Sequence, residues 1–99
     1  MTESIDKDSN VVYIGDKPFM NYVTSVVMQF VTKKRDEVVI KARGRFITRA
    51  VDVAETAKIR FLNNVKVKVS NVEIGSEEFE NKEGKKVNVS IIEITLKKE

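Results

Sequence analysis

Lys41, Arg43 and Arg45 stand at alternate positions in Ile40-Lys41-Ala42-Arg43-Gly44-Arg45, where an apolar run passes through a glycine into the helical pattern Phe46-Ile47-x-x-Ala50-Val51. A strand end that meets a helix start gathers backbone N–H groups and long cations at one corner, an arrangement suited to phosphate. Two of the three cations are Arg, whose planar fork matches phosphate oxygens better than the point charge of Lys. Arg49 extends the series, so residues 41–49 hold four cations and no anion. The chain offers no comparable corner for any other chemistry.

Charge is spread unevenly around a formal net value of +3. Residues 1–10 carry one cation against three anions, residues 11–62 carry ten against five, and residues 63–99 carry seven of each. A pI near 9.2 with its excess in one segment is the footprint of a nucleic-acid binder. Cys and His are both absent, which removes disulfides, thiolate chemistry, the usual general base and the commonest metal ligands. No cofactor, metal or small-molecule substrate is expected. No apolar run is long enough for a membrane span, and the acidic start lacks the layout of a signal peptide. The expectation is a soluble intracellular protein that engages no membrane.

Ninety-nine residues must position that corner. Residues 1–9, polar and acidic, read as a disordered tail, and residues 10–99 as a single domain. Asn10 to Ile14 reads as a first strand closed by Gly15. Pro18 stands at the expected first position of a helix whose apolar face is Phe19, Tyr22, Val23, Val26, Val27 and Phe30. Lys33-Lys34-Arg35 follows it. The cluster reads either as a second phosphate-contacting patch or as complement to the helix dipole, and the dipole reading is preferred. Glu37 to Ala42, continuously apolar in its middle, reads as a strand covered on both faces. A second helix is expected from Gly44 to Leu62, with Ile47, Ala50, Val51, Ala54, Ala57 and Phe61 as its stripe.

A long hairpin completes the chain, with a charged tip expected over Glu77 to Lys86. In each of its strands the apolar set changes face, between Val69 and Val72 and between Ile91 and Ile92. Either a bulge or two halves packing on different partners explains such a change. The second suits a hairpin whose base covers the core while its outer part reaches beyond it. The predicted class is α+β, in the order β-α-β-α-β-β: a four-stranded mixed sheet, two helices on one face and a long C-terminal hairpin arm.

With that order in view, the chain resembles the Alba family of archaeal chromatin proteins. The resemblance rests on Gly15-x-Lys17-Pro18-x-x-Asn21-Tyr22-Val23, Ile40-Lys41-Ala42-Arg43-Gly44-Arg45, Ala50-Val51-Asp52 and Arg60-Phe61-Leu62, with Ile74-Gly75-Ser76 and Ile92-Glu93-Ile94 in the hairpin. It implies a homodimeric, sequence-tolerant protein that binds double-stranded DNA, with RNA as an alternative, in a cytoplasmic, chromosome-associated setting. By the same resemblance Lys17, Lys41, Arg43 and Arg45 are the main phosphate contacts. Asn21 and Arg49 are secondary ones: Asn21 has the alternative of bonding the strand–helix turn, Arg49 that of a solvated helix face. Phe61 and Leu62 belong to an apolar contact between dimers.

Two features depart from the pattern. Many members carry two adjacent lysines before the proline, the first being acetylated in some relatives; here that position is Asp16, which repels phosphate. The hairpin tip is rich in acid, with Glu77, Glu78, Glu80 and Glu83. Both point to reduced affinity for nucleic acid.

Three rival readings carry less. An RNA-directed role, as a processing-particle subunit or RNA chaperone, lacks a visible row of exposed aromatics for stacking single strands. An enzyme would have to be built from Glu37, Asp52 and Glu55, of which Asp52 and Glu55 are better placed to balance Arg49 and Lys58 on one helix. A purely protein-binding module would rest on the Phe61 patch alone.

Overall fold

The computed structural model describes residues 9–99. Strand β1, Val11–Tyr13, pairs in parallel with β2, Glu37–Arg43, and the connection between them carries helix α1, Phe19–Val31. Helix α2 spans Ile47–Thr56, and the hairpin strands are β3, Val67–Glu80, and β4, Lys86–Lys98. The sheet order is β1-β2-β4-β3, so β4 lies between β2 and the edge strand β3, antiparallel to both. This is the α+β class and mixed four-stranded sheet expected from the pattern. Of the tail expected over residues 1–9, all but Ser9 lies outside the described residues. Ser9 itself is tied down: its hydroxyl accepts from the Val11 N–H at 3.1 Å and its carbonyl accepts from Gln29 Nε2 at 3.2 Å.

The core forms where the two helices cover one face of the sheet. Tyr22, Val23, Val26 and Phe30 of α1, and Ala50, Val53 and Ala54 of α2, pack on Val38, Ile40, Ala42, Ile92, Ile94 and Leu96. Burying one of the larger of these side chains contributes about 1.5–3 kcal/mol. β2 is not covered on both faces as its composition suggested. Val38, Ile40 and Ala42 are buried under the helices, while Val39 and Lys41 are half-buried on an open face. Neighbouring strands shield Val39 from the side: its cross-strand partners are Val11 and Thr95.

Pro18 precedes the first helical residue rather than occupying it; its φ of −54° and ψ of 140° are extended, and its carbonyl accepts from the Asn21 N–H at 3.0 Å. At the other end α1 stops at Val31, with Thr32 at the C-cap and no basic residue in the last turn. Lys33-Lys34-Arg35 therefore lies just past the C-cap rather than in the last turn. The Arg35 N–H donates to the Gln29 carbonyl at 3.0 Å across Lys34, whose φ is +58°. That is a helix-closing turn whose left-handed position glycine ordinarily fills.

The second helix covers its expected span in three geometries. A 3₁₀ turn at Gly44–Phe46 leads into α2, and a π-helical turn at Ala57–Phe61 ends it. The widened turn decides which side chain faces inward. At ordinary helical spacing Phe61 would follow Ala57 on the core face. An i→i+5 turn moves the inward place one residue on, so Leu62 is fully buried and Phe61 is 45% exposed. The buried stripe also runs through Val53 rather than Val51, which is exposed.

A bulge between Val69 and Asn71 accounts for the face change in β3. The extra residue, Ser70, keeps Val69 and Val72 both on the helix-side face, opposite Leu96 and Ile94. In β4 the pairing runs without interruption, and the change there reflects two halves with different surroundings. Ile92, Ile94 and Leu96 are buried under the helices, whereas Val87, Val89 and Ile91 point to the open face and are half-buried. The strands pair as far as Glu80 and Lys86, so Glu77, Glu78 and Glu80 belong to β3 and the tip shrinks to residues 81–85. The arm makes the protein elongated, 49 Å by 24 Å by 21 Å.

Candidate nucleic-acid interface

Side chains on β2 alternate, so burial of Ile40 and Ala42 forces Lys41 and Arg43 to the open face of the sheet. Lys41 lies between two neighbours there. Its Nζ is 3.4 Å from Glu93 Oε2 on β4 and 5.9 Å from the centre of the Tyr13 ring on β1. Arg43, at the strand end, donates from Nη1 to Glu77 Oε1 of the arm at 3.2 Å. Gly44 then turns the chain at a φ of +61°, a backbone conformation that side-chain-bearing residues resist, and releases Arg45 to solvent beside the Phe46 ring, 4.8 Å away.

The loop between β1 and α1 supplies Asp16 and Lys17, both exposed. It is braced from below. The Lys17 N–H donates to the buried Tyr22 hydroxyl at 3.0 Å, and Arg49 Nη1 donates to the Gly15 carbonyl. The Arg49 guanidinium also stands 5.6 Å from the Tyr22 ring. Arg49 is thus half-buried and fixed to the loop rather than lying on a solvated helix face. Glu55 and Lys58 pair at 3.0 Å as expected, but Arg49 is not part of that balance. Asn21 bonds the turn through its backbone N–H, and its exposed side chain lines an open groove of about 980 Å³ with Asp16, Lys17, Lys41 and Arg43.

Lys17, Lys41, Arg43 and Arg45 thus lie around one end of the sheet, which the sequence could indicate only as separate basic segments. Glu77 and Glu93, which answer Arg43 and Lys41, had no signal in the sequence, because the pairing depends on β4 lying between β2 and β3. Both ion pairs are substantially solvent-exposed. Such pairs contribute about 0–1 kcal/mol, so an incoming phosphate can exchange for the carboxylate at small cost.

Phe61 borders a small apolar depression with Met20, Val23, Val27 and Met28 of α1. Leu62, expected beside it at a surface contact, lies fully inside the core and cannot touch a neighbouring molecule. Among the described residues no His, Cys, Asp or Glu cluster is placed to hold a metal ion, and no helix is long and apolar enough to cross a membrane.

A basic-ended sheet backed by two helices, with an arm of paired strands, is the architecture of the Alba domain. The Alba family model matches residues 10–76, and the chain belongs to that family. It is 48% identical over 91 residues to the DNA/RNA-binding protein Alba of Methanocella arvoryzae, covering 92% of each chain. It is 54% identical to the protein of that name from Nanoarchaeum equitans, over 88% of this chain and 96% of the other. Among solved structures, Alba from Thermoplasma volcanium superposes with a TM-score of 0.80 at 40% identity, over 89% of this chain and 99% of that one. The ALBA1 structure from Trypanosoma brucei shares the fold, with a TM-score of 0.68 at 23% identity over 94% of this chain and 72% of that one.

Proposed function

We propose that this protein is a non-catalytic, largely sequence-tolerant binder of double-stranded DNA that acts as a homodimer on the archaeal chromosome. The observation that carries the reading is the convergence of Lys17, Lys41, Arg43 and Arg45 at one end of the sheet, three of them exposed. The names of its relatives, DNA/RNA-binding proteins, agree with it. Phosphate contacts position a protein on a duplex without reading sequence. Arg49 and Tyr22 hold the Lys17 loop in place for them, and Asn21 adds a polar contact in the same groove.

Dimerisation is supported by apolar surface that one chain leaves uncovered. Val72 and Ile74 on β3 are 51% and 82% exposed, and Val69 adjoins them on the same face. A contiguous apolar row beyond the core calls for a partner, and a second copy is the simplest one.

Binding isotherms for duplex DNA, duplex RNA and single strands across a salt series test the proposal. Eight phosphates neutralised per dimer give a slope of roughly −7 in log K against log salt on duplex DNA. Exchange from Glu77 and Glu93 makes the observed slope shallower. Arg43→Ala should weaken binding to unrelated sequences by a common factor and flatten the slope by about 2 per dimer. A sequence-dependent loss would contradict a pure phosphate contact. RNA is the second reading, favoured by one observation: the Tyr13 ring is 48% exposed on the open face beside Lys41, where a base can stack. Tighter binding to RNA single strands than to duplex DNA at equal salt would establish it.

Phe61 serves contacts between neighbouring dimers in this proposal. Because it is 45% exposed, Phe61→Ala should melt near the wild type, without the loss of about 3–5 kcal/mol that a buried Phe entails. Cooperative coating of long DNA should fall. A titration on long DNA that is as steep as the wild type's would remove Phe61 from that role.

A further inference from the structure

The opposite end of the sheet carries a second concentration of positive charge. Backbone hydrogen bonds join three separate segments there: the Lys98 N–H donates to the Asp36 carbonyl at 3.0 Å, and the Glu99 N–H to the Lys66 carbonyl at 2.9 Å. Together they gather Lys33, Lys34, Arg35, Lys66, Lys68, Lys97 and Lys98 against Asp36, Glu37 and Glu99. Lys34, Lys66, Lys68 and Lys97 are exposed. Among the described residues, these four and Lys98 form no ion pair. By contrast, Lys41 and Arg43 at the first end are both answered by carboxylates.

Lys68 and Lys97 stand directly opposite each other across the β3–β4 ladder, and like charges so placed repel, although Glu37 of β2 faces Lys97 from its other side. Lys34 and Lys66 are the non-glycine residues with positive φ among the described residues, at +58° and +61°. Glycine or asparagine fits that backbone with less strain. The repelling pair and the excess of cations over carboxylates at this end suit an anionic ligand.

We infer that this end is a second phosphate-binding site, which takes the backbone of a separate nucleic-acid segment while the first end holds its own. The inference rests on the nucleic-acid reading above. β2 spans the distance between the two ends, about 20 Å from Glu37 to Arg43 at 3.3 Å per residue. The open face of β4 between them presents Glu93 and Thr95 rather than cations. The two positive surfaces are therefore separate, and each takes its own duplex in the inferred complex.

The test compares the wild-type protein with a variant carrying Lys34→Asn, Lys66→Asn, Lys68→Gln and Lys97→Gln. Two 20-bp DNA duplexes of unrelated sequence, one with a donor dye and one with an acceptor, report bridging by energy transfer. A dilute isotherm on either duplex alone reports the first site. The variant should keep single-duplex affinity within about twofold and need about tenfold more protein for half-maximal transfer. Its melting temperature should not fall, and Lys68→Gln with Lys97→Gln alone provides a milder pair should the fourfold variant fold poorly. Unchanged transfer in the variants would overturn the inference, as would absence of transfer in a wild type that binds single duplexes. An equal loss of affinity and transfer would overturn it too, because the lysines would then belong to one continuous site. A wild type with no salt-dependent binding to either duplex would instead remove the nucleic-acid reading itself.

Discussion

In the proposed homodimer, Ile74→Glu will leave only an 11.3 kDa species in sedimentation equilibrium at low micromolar concentration, where the wild type sediments at twice that mass. Ile74 is 82% exposed on the edge strand of the sheet, on the same face as Val72 and beside Ile92, where the helices cover β4 but leave β3 open. In a single chain this side chain supports nothing, so the substitution should leave the monomer fold and its far-ultraviolet spectrum intact. In a two-fold dimer the loss is counted twice. Removing a buried Ile costs about 1.5–3 kcal/mol per copy, and desolvating a carboxylate adds to it. The dissociation constant should therefore rise by about 10²–10⁴. Duplex affinity should fall with it, because a monomer offers half the cations. A variant that remains dimeric would show that Ile74 faces solvent in the assembly and that two copies meet elsewhere.

How much of this was legible in the sequence depended on whether a local rule decided the outcome. Period-two and period-3.6 patterns located both helices and all four strands, because apolar residues such as Val23, Val26, Phe30, Ile40 and Ile94 had one core to fill. The cations at residues 41–45 were legible as a cluster at alternate positions, but reading β2 as covered on both faces hid the open face that Lys41 and Arg43 share. Periodicity put the side chain of Phe61 on the core stripe, and only the family resemblance put it at a surface contact. Its position follows from a π-helical turn at Ala57–Phe61 that no propensity marks, and that turn shifts the inward place to Leu62. The Arg43–Glu77 and Lys41–Glu93 pairs were not legible, because they join residues distant in sequence through the sheet order. Lys33-Lys34-Arg35 was visible as a cluster, but its junction with Lys66, Lys68, Lys97 and Lys98 depends on hydrogen bonds between chain segments far apart in sequence.

Asp16→Lys will tighten binding to duplex DNA and steepen its salt dependence, leaving base preference unchanged. Asp16 is exposed beside Lys17 on the loop that Tyr22 and Arg49 brace, so the substitution alters charge without disturbing packing. It removes a carboxylate that repels phosphate and places a second cation next to Lys17. In a dimer this adds two possible phosphate contacts, each of which releases about 0.9 counterion, so the slope should steepen by about 2. At low salt, where screening is weakest, the gain in affinity should reach about 10–100-fold, and it should shrink as salt rises. Asp16→Asn separates the two parts of the effect, since it removes the repulsion but supplies no cation: it should recover a smaller share of the affinity and little of the slope. The prediction depends on the loop facing the duplex. If Asp16→Lys left low-salt affinity unchanged while Arg43→Ala still weakened it, the duplex would lie on the β2 and arm side of the site. Asp16 would then serve only the start of α1, where its charge favours the positive end of the helix.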